Sequence, residues 1–98
     1  MRFDANSVDI PSAGTRVQVS NTTDKVAWIQ FRARDANTGS IYVGIGDVSS
    51  SNGYELGAGG GRDAVLTLDF RPDSILFNVF YVDAATDGED VDYSVILR

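Results

Sequence analysis

The stretch Val26-Ala27-Trp28-Ile29-Gln30-Phe31-Arg32-Ala33-Arg34 decides the fold. Ala27, Ile29, Phe31 and Ala33 alternate with Trp28, Gln30, Arg32 and Arg34, the period of two that belongs to a strand with one face in a core and the other in water. No window of the chain sustains the i, i+3, i+4, i+7 spacing of an amphipathic helix.

Working outward, the same alternation recurs. Leu66, Leu68 and Phe70 share a face between Val65 and Arg71, and Val91, Tyr93, Val95 and Leu97 share one near the end of the chain. Shorter runs cover Ser7 to Ile10, Arg16 to Ser20, Ile41 to Ile45 and Tyr54 to Leu56, with Gly, Asn, Asp and Ser clusters between them supplying turn chemistry. Seven to eight short strands at this spacing predict an all-β, antiparallel sandwich of Ig-like or jelly-roll type. The expected division is an N-terminal arm over residues 1–14 and one domain over 15–98. One run breaks the alternation: Ile75-Leu76-Phe77-Asn78-Val79-Phe80-Tyr81-Val82 is apolar on both faces. Either a loop or the arm covers its outer face, or Leu76, Phe80 and Val82 form a subunit contact.

Composition narrows the function. The 98 residues contain no cysteine and no histidine, which removes Ser-His-Asp and Cys-His nucleophile activation and the side chains that dominate zinc and copper sites. A net charge of −6 with only eight dispersed basic residues argues against nucleic acid and anionic membrane surfaces as partners. The opening residues lack the apolar core of a secretion signal, and no window has the roughly 18 apolar residues of a membrane span. A soluble protein is expected.

Three motifs fall short of chemistry. Gly57 to Arg62 is glycine-rich, yet Arg62 and Asp63 stand where a phosphate-binding loop needs Lys then Ser or Thr, so a mobile hairpin loop is expected. Asp83 to Asp92 is acidic with a central Gly88, but Ala85 and Ser94 occupy positions where a calcium loop needs oxygen-donating side chains. Pairs such as Asp83 and Asp87, or Glu89 and Asp92, have the composition of a hydrolase acid and base without any sign of the burial that would split their pKa values. Asn21-Thr22-Thr23 fits a glycosylation sequon and reads more simply as a turn. No catalytic residue, metal site or cofactor is expected, and the protein is read as not an enzyme. Trp28 and Arg32 on the polar face of the clearest strand, with Tyr42, are the candidate ligand or partner contacts.

The stretch Asn37-Thr38-Gly39-Ser40-Ile41-Tyr42-Val43-Gly44, followed by Asp47-Val48-Ser49-Ser50-Ser51-Asn52-Gly53-Tyr54-Glu55-Leu56 and then Leu66-Thr67-Leu68-Asp69, resembles a segment of small structural proteins of tailed bacteriophages. It covers about a third of the chain directly and departs from the pattern after Leu56. The resemblance implies a virion protein of β-sandwich type, foremost a capsid decoration (cement) protein. Such a protein binds the outer surface of the major capsid protein shell as a homotrimer, after assembly in the host cytoplasm. Arg2, Phe3 and Ile10 of the arm are then the expected capsid contacts. The alternative is a receptor- or carbohydrate-binding domain of a head or tail fibre, with Trp28 and Tyr42 as stacking platforms.

Overall fold

The computed structural model describes residues 1–57 and 64–98. The expected glycine-rich hairpin loop lies almost wholly outside the described residues. Among the described residues nine strands form, in chain order: β1 (Arg2–Ile10), β2 (Val17–Gln18), β3 (Lys25–Ala33), β4 (Ile41–Gly44), β5 (Tyr54–Leu56), β6 (Val65–Asp69), β7 (Ile75–Leu76), β8 (Tyr81–Ala84) and β9 (Glu89–Leu97). They make two antiparallel sheets, the first ordered β1-β9-β3-β6 with β7 also on β3, the second ordered β2-β8-β4-β5. The protein is an all-β antiparallel sandwich.

The alternation read in Val26 to Arg34 is the alternation observed. Ile29, Phe31 and Ala33 are fully buried, while Arg32 and Arg34 are exposed and Trp28 and Gln30 partly so. One irregularity has a local cause: between Val26 and Trp28 the pairing of β3 with β9 shifts by a residue. The bulge turns both Val26 and Ala27 into the core, which strict alternation forbids.

The core is filled from both sheets. Ile29 and Phe31 of β3 and Val91 and Val95 of β9 meet Ile41 and Val43 of β4 and Val82 of β8. Phe80 packs edge-on against Phe31 with ring centroids 5.7 Å apart, and Phe77 does the same against Tyr93 at 5.5 Å.

The doubly apolar run is not one strand. Ile75–Leu76 pairs with β3 in the first sheet, a single 3-10 turn covers Phe77–Val79, and Tyr81–Ala84 pairs with β4 and β2 in the second. The chain crosses the sandwich here, so side chains of both parities point into the interior during the crossing. Phe80 is 5% exposed and Val82 fully buried. They are core residues, and the subunit contact expected of them is corrected. Leu76 alone of the three reaches solvent, at 41% exposure.

Residues 2–10, expected within an arm, are instead the edge strand β1, paired with β9 over its whole length from Arg2↔Leu97 to Ile10↔Glu89. Ile10 is fully buried and cannot touch a capsid. The apolar alternation seen at Val8 and Ile10 fades toward Met1, because the second sheet does not reach under that part of β1 and Arg2 to Ser7 are all exposed.

Candidate functional site

The register of the first sheet sets its outer face. Phe3 lies opposite Ile96, Ile96 opposite Trp28, and Trp28 opposite Asp69, which makes one row across four strands. The next row is Ala5, Ser94, Gln30 and Thr67, and the one after it Ser7, Asp92, Arg32 and Val65. Small side chains in the middle rows leave a shallow trough of about 450 Å³ floored by Ala5, Ser7 and Ser94 and walled by Gln30, Arg32, Arg34 and Asp92. Phe3, 65% exposed, and the partly exposed Trp28 stand in the adjacent row of the same face, outside the trough's lining.

Charges at the rim are held to different degrees. Arg34 Nε donates to Asp92 Oδ1 at 3.0 Å, and its Nη1 lies 3.5 Å from Asp90 Oδ2. The hydrogen bond from Arg34 to Asp92, and then their charge attraction, raise the guanidinium's pKa further. Burial pushes the Asp90 carboxyl up, Arg34 pulls it back, and a hydrogen bond with Asp9 adds to the rise. Arg32 makes a single 3.4 Å contact to Asp35, with both side chains more than half exposed. At the far end of the Trp28 row Arg71 forks onto Asp69 at 2.9 and 2.8 Å. Those bonds, together with the Arg71 backbone N–H, hold the Asp69 carboxyl down at about 2.

A second surface opens between the two sheets, where β6 of the first and β5 of the second are both edge strands. Its lining is almost wholly apolar: Ile45, Tyr54, Leu66 and Leu68 form the mouth and Phe80 and Val43 the floor. Ile45 and Tyr54 are 58% and 54% exposed. Sequence reading missed both residues, because each stands beside a turn where a single apolar side chain looks incidental.

The acidic residues weighed for hydrolysis or calcium are engaged in holding loops. Asp83 Oδ1 accepts the Gly14 and Ala84 amides, and Asp87 Oδ1 accepts the Ala13 amide, so the two carboxylates pin the turn after β1. Glu89, 7% exposed, accepts three hydrogen bonds at Oε1, from the Thr38 amide at 2.7 Å, the Thr38 hydroxyl at 3.1 Å and the Gly39 amide at 2.8 Å. Buried Asn37 completes the clasp, donating from Nδ2 to the Asp90 carbonyl and accepting the Asp90 amide at Oδ1. Among the described residues no group of three or more His, Cys, Asp or Glu is placed to hold a metal ion.

Of the sequence-predicted contacts, the structure brings Trp28 and Arg32 together on one face and adds Phe3 to it. It separates them from Tyr42, whose strand β4 belongs to the other sheet and pairs with Asp83 of β8 and Glu55 of β5. Trp28 and Tyr42, each expected as a stacking platform, thus stand on strands of opposite sheets, whose outer faces turn away from each other. Arg2 is exposed and lies 3.2 Å from Asp24.

No family model matches the chain, and no curated protein matches it. Among solved structures it is similar to the IMPa metallopeptidase in complex with T-antigen, with a TM-score of 0.46 and 16% identity over 98% of this chain and 12% of that one. IMPa from Pseudomonas aeruginosa in complex with an O-glycopeptide gives 0.44 and 17%, with the same coverages. The chain thus spans 12% of the length of these proteins, and nothing about activity or ligand passes from them to it.

Proposed function

We propose that this chain is a non-enzymatic bacteriophage virion protein, a capsid decoration (cement) protein that binds the outer surface of the major capsid protein shell as a homotrimer. The observation that carries a binding role is the apolar groove between β5 and β6. Exposed Ile45 and Tyr54 beside Leu66 and Leu68 are a surface that a protein partner would remove from water at a gain of about 25 cal/mol per Å². The assignment to the virion rests on the resemblance of residues 37–56 and 66–69 to phage structural proteins. Those residues form the clasped β3–β4 loop, the β4–β5 hairpin and the β6 edge, and Val43, Gly44, Ile45, Tyr54, Leu66 and Leu68 among them line the groove.

The mechanism is linkage. A protein that binds the expanded shell and not its precursor stabilises it by RT ln(1 + [L]/Kd) per site, so modest contacts repeated over many sites hold the shell firmly. A closed ring of three subunits presents the same groove three times.

Co-sedimentation with empty shells assembled from the major capsid protein encoded alongside this chain tests the reading. Stoichiometric pelleting of the wild type, reduced roughly tenfold or more by Ile45→Asp with Tyr54→Asp, is the expected result. Failure of the folded wild type to pellet with expanded shells contradicts it.

A further inference from the structure

We infer that the groove between β5 and β6 is filled by an extended segment of the partner protein, which pairs its main chain with the open edge of β6 and turns alternate apolar side chains inward. The inference rests on the binding role proposed for that groove and names the form the partner takes there.

The register shows which main-chain groups of β6 are free. The Phe70 amide donates to the Ala27 carbonyl at 2.9 Å, and in an antiparallel ladder the pairs that exchange hydrogen bonds recur at every second residue. Carried along the register, that alternation bonds Leu68 to Ile29 and Leu66 to Phe31. It leaves Asp69, Thr67 and Val65 in the non-bonded pairs with Trp28, Gln30 and Arg32. The side-chain bond from Gln30 Nε2 to Thr67 Oγ1 at 3.1 Å fits a non-bonded pair, where side chains come closest. The N–H and C=O groups of Val65, Thr67 and Asp69 therefore point away from β3, at an edge where no further described strand pairs. Among the described residues no turn or loop hydrogen bond takes them up.

The other edge of the same sheet is guarded: Asp4 and Asn6 of β1 accept the Ala5 and Ser7 amides with their own side chains. Among the described residues β6 has no such guard, and it adjoins the apolar groove. Leu66 and Leu68 turn into that groove above Phe80, so side chains of an added strand standing in their rows enter it as well. A volume of about 250 Å³ falls below the ~300–1,000 Å³ of small-molecule sites and suits one or two side chains. The connection Gly57 to Asp63 has no apolar side chain larger than that of Ala58 to fill it. A docked helix satisfies its own main chain and leaves the edge unpaired, whereas a strand uses edge and groove together. Exposed Asp47 and Glu55 stand close in sequence to Ile45 and Tyr54, on a chain of net charge −6, which favours Lys or Arg beside the apolar positions of the segment.

The test uses the full chain, alone. Selection from a random peptide library on the immobilised protein should enrich sequences with apolar residues at alternate positions and Lys or Arg beside them. Adding an enriched peptide should protect the Val65, Thr67 and Asp69 amides from solvent exchange, a readout that needs no variant. Thr67→Pro removes an outward N–H and no bond to β3. It should fold, and it should weaken the peptide by roughly tenfold or more, because its ring also stands in the path of the incoming strand. Thr67→Val keeps the amide and should bind as the wild type does. No alternating sequence enriched, a folded Thr67→Pro that binds at wild-type strength, protection confined to other strands, or the three amides already protected in the free protein by pairing of β6 between two copies would each overturn the inference. Co-sedimentation separates it from the capsid reading. Shells that carry wild type and Thr67→Pro equally leave capsid binding standing and remove strand addition, whereas peptide binding at β6 without pelleting does the reverse.

Discussion

Glu89 shows how much a single buried carboxylate determines here. Burial pushes its carboxyl up, but hydrogen bonds from the Gly39 amide, the Thr38 amide and the Thr38 hydroxyl outweigh that, and its pKa lies below the ordinary value. A group whose folded value is depressed contributes stability that is complete above the unfolded value, about 4.3 for glutamate, and is lost as pH falls through the folded value. Asp90 runs the other way: its raised value means that protonation relieves a burial cost, so its own contribution to stability improves as pH falls. Urea denaturation separates the two. Glu89→Gln should lower stability at neutral pH by about 1–3 kcal/mol and should flatten the loss of stability that the wild type shows below about pH 4. A variant with the wild-type midpoint and an unchanged acid limb would refute the clasp. Gly39 is bound to the same device, since a Cβ there would stand 2.5 Å from Thr86 Oγ1.

Among the elements, β1 and the crossover mark where sequence reading held and where it stopped. Periodicity was enough for β3 and β9, which have one face in the core, and for β6, whose Leu66 and Leu68 pack partly buried against that core. It failed for residues 75–82, where a 3-10 turn carries the chain between sheets and apolar side chains of both parities enter one core. It also failed for residues 2–7, where strand pairing without burial leaves no hydrophobic signature. The trough was half legible: Trp28 and Arg32 stand on one strand and could be read together, while Phe3, Ala5 and Ser94 join them only through the register with β1 and β9. The edge position of β1 has a further consequence. Asp4 Oδ1 accepts the Ala5 amide at 2.9 Å and Asn6 Oδ1 accepts the Ser7 amide at 2.8 Å, so side chains occupy main-chain donors that would otherwise invite another strand. Replacing both, Asp4→Val with Asn6→Val, should convert β1 into an adhesive edge. Light scattering after size exclusion should then show dimers or larger species where the wild type shows none of β1-mediated origin, and an unchanged size distribution would contradict the guarding role.

At the scale of the whole molecule, the sandwich separates two surfaces of different character: an apolar groove at the open side between β5 and β6, and a polar trough on the outer face of the first sheet, its arginines paired with aspartates. Carboxylates that accept loop amides, Asp83, Asp87 and Glu89, tie the loops to the strands of the frame between them. In the proposed particle the groove faces the shell or a neighbouring subunit and the remaining acidic surface faces solvent, where it keeps particles apart. Reconstruction of the virion by cryo-electron microscopy tests this most directly. The account predicts density for the sandwich on the outer shell at local threefold positions, three copies to a site, with Ile45 and Tyr54 in contact with protein. Shells bare at those positions, with the chain found in a tail or fibre or missing from the particle, would contradict it.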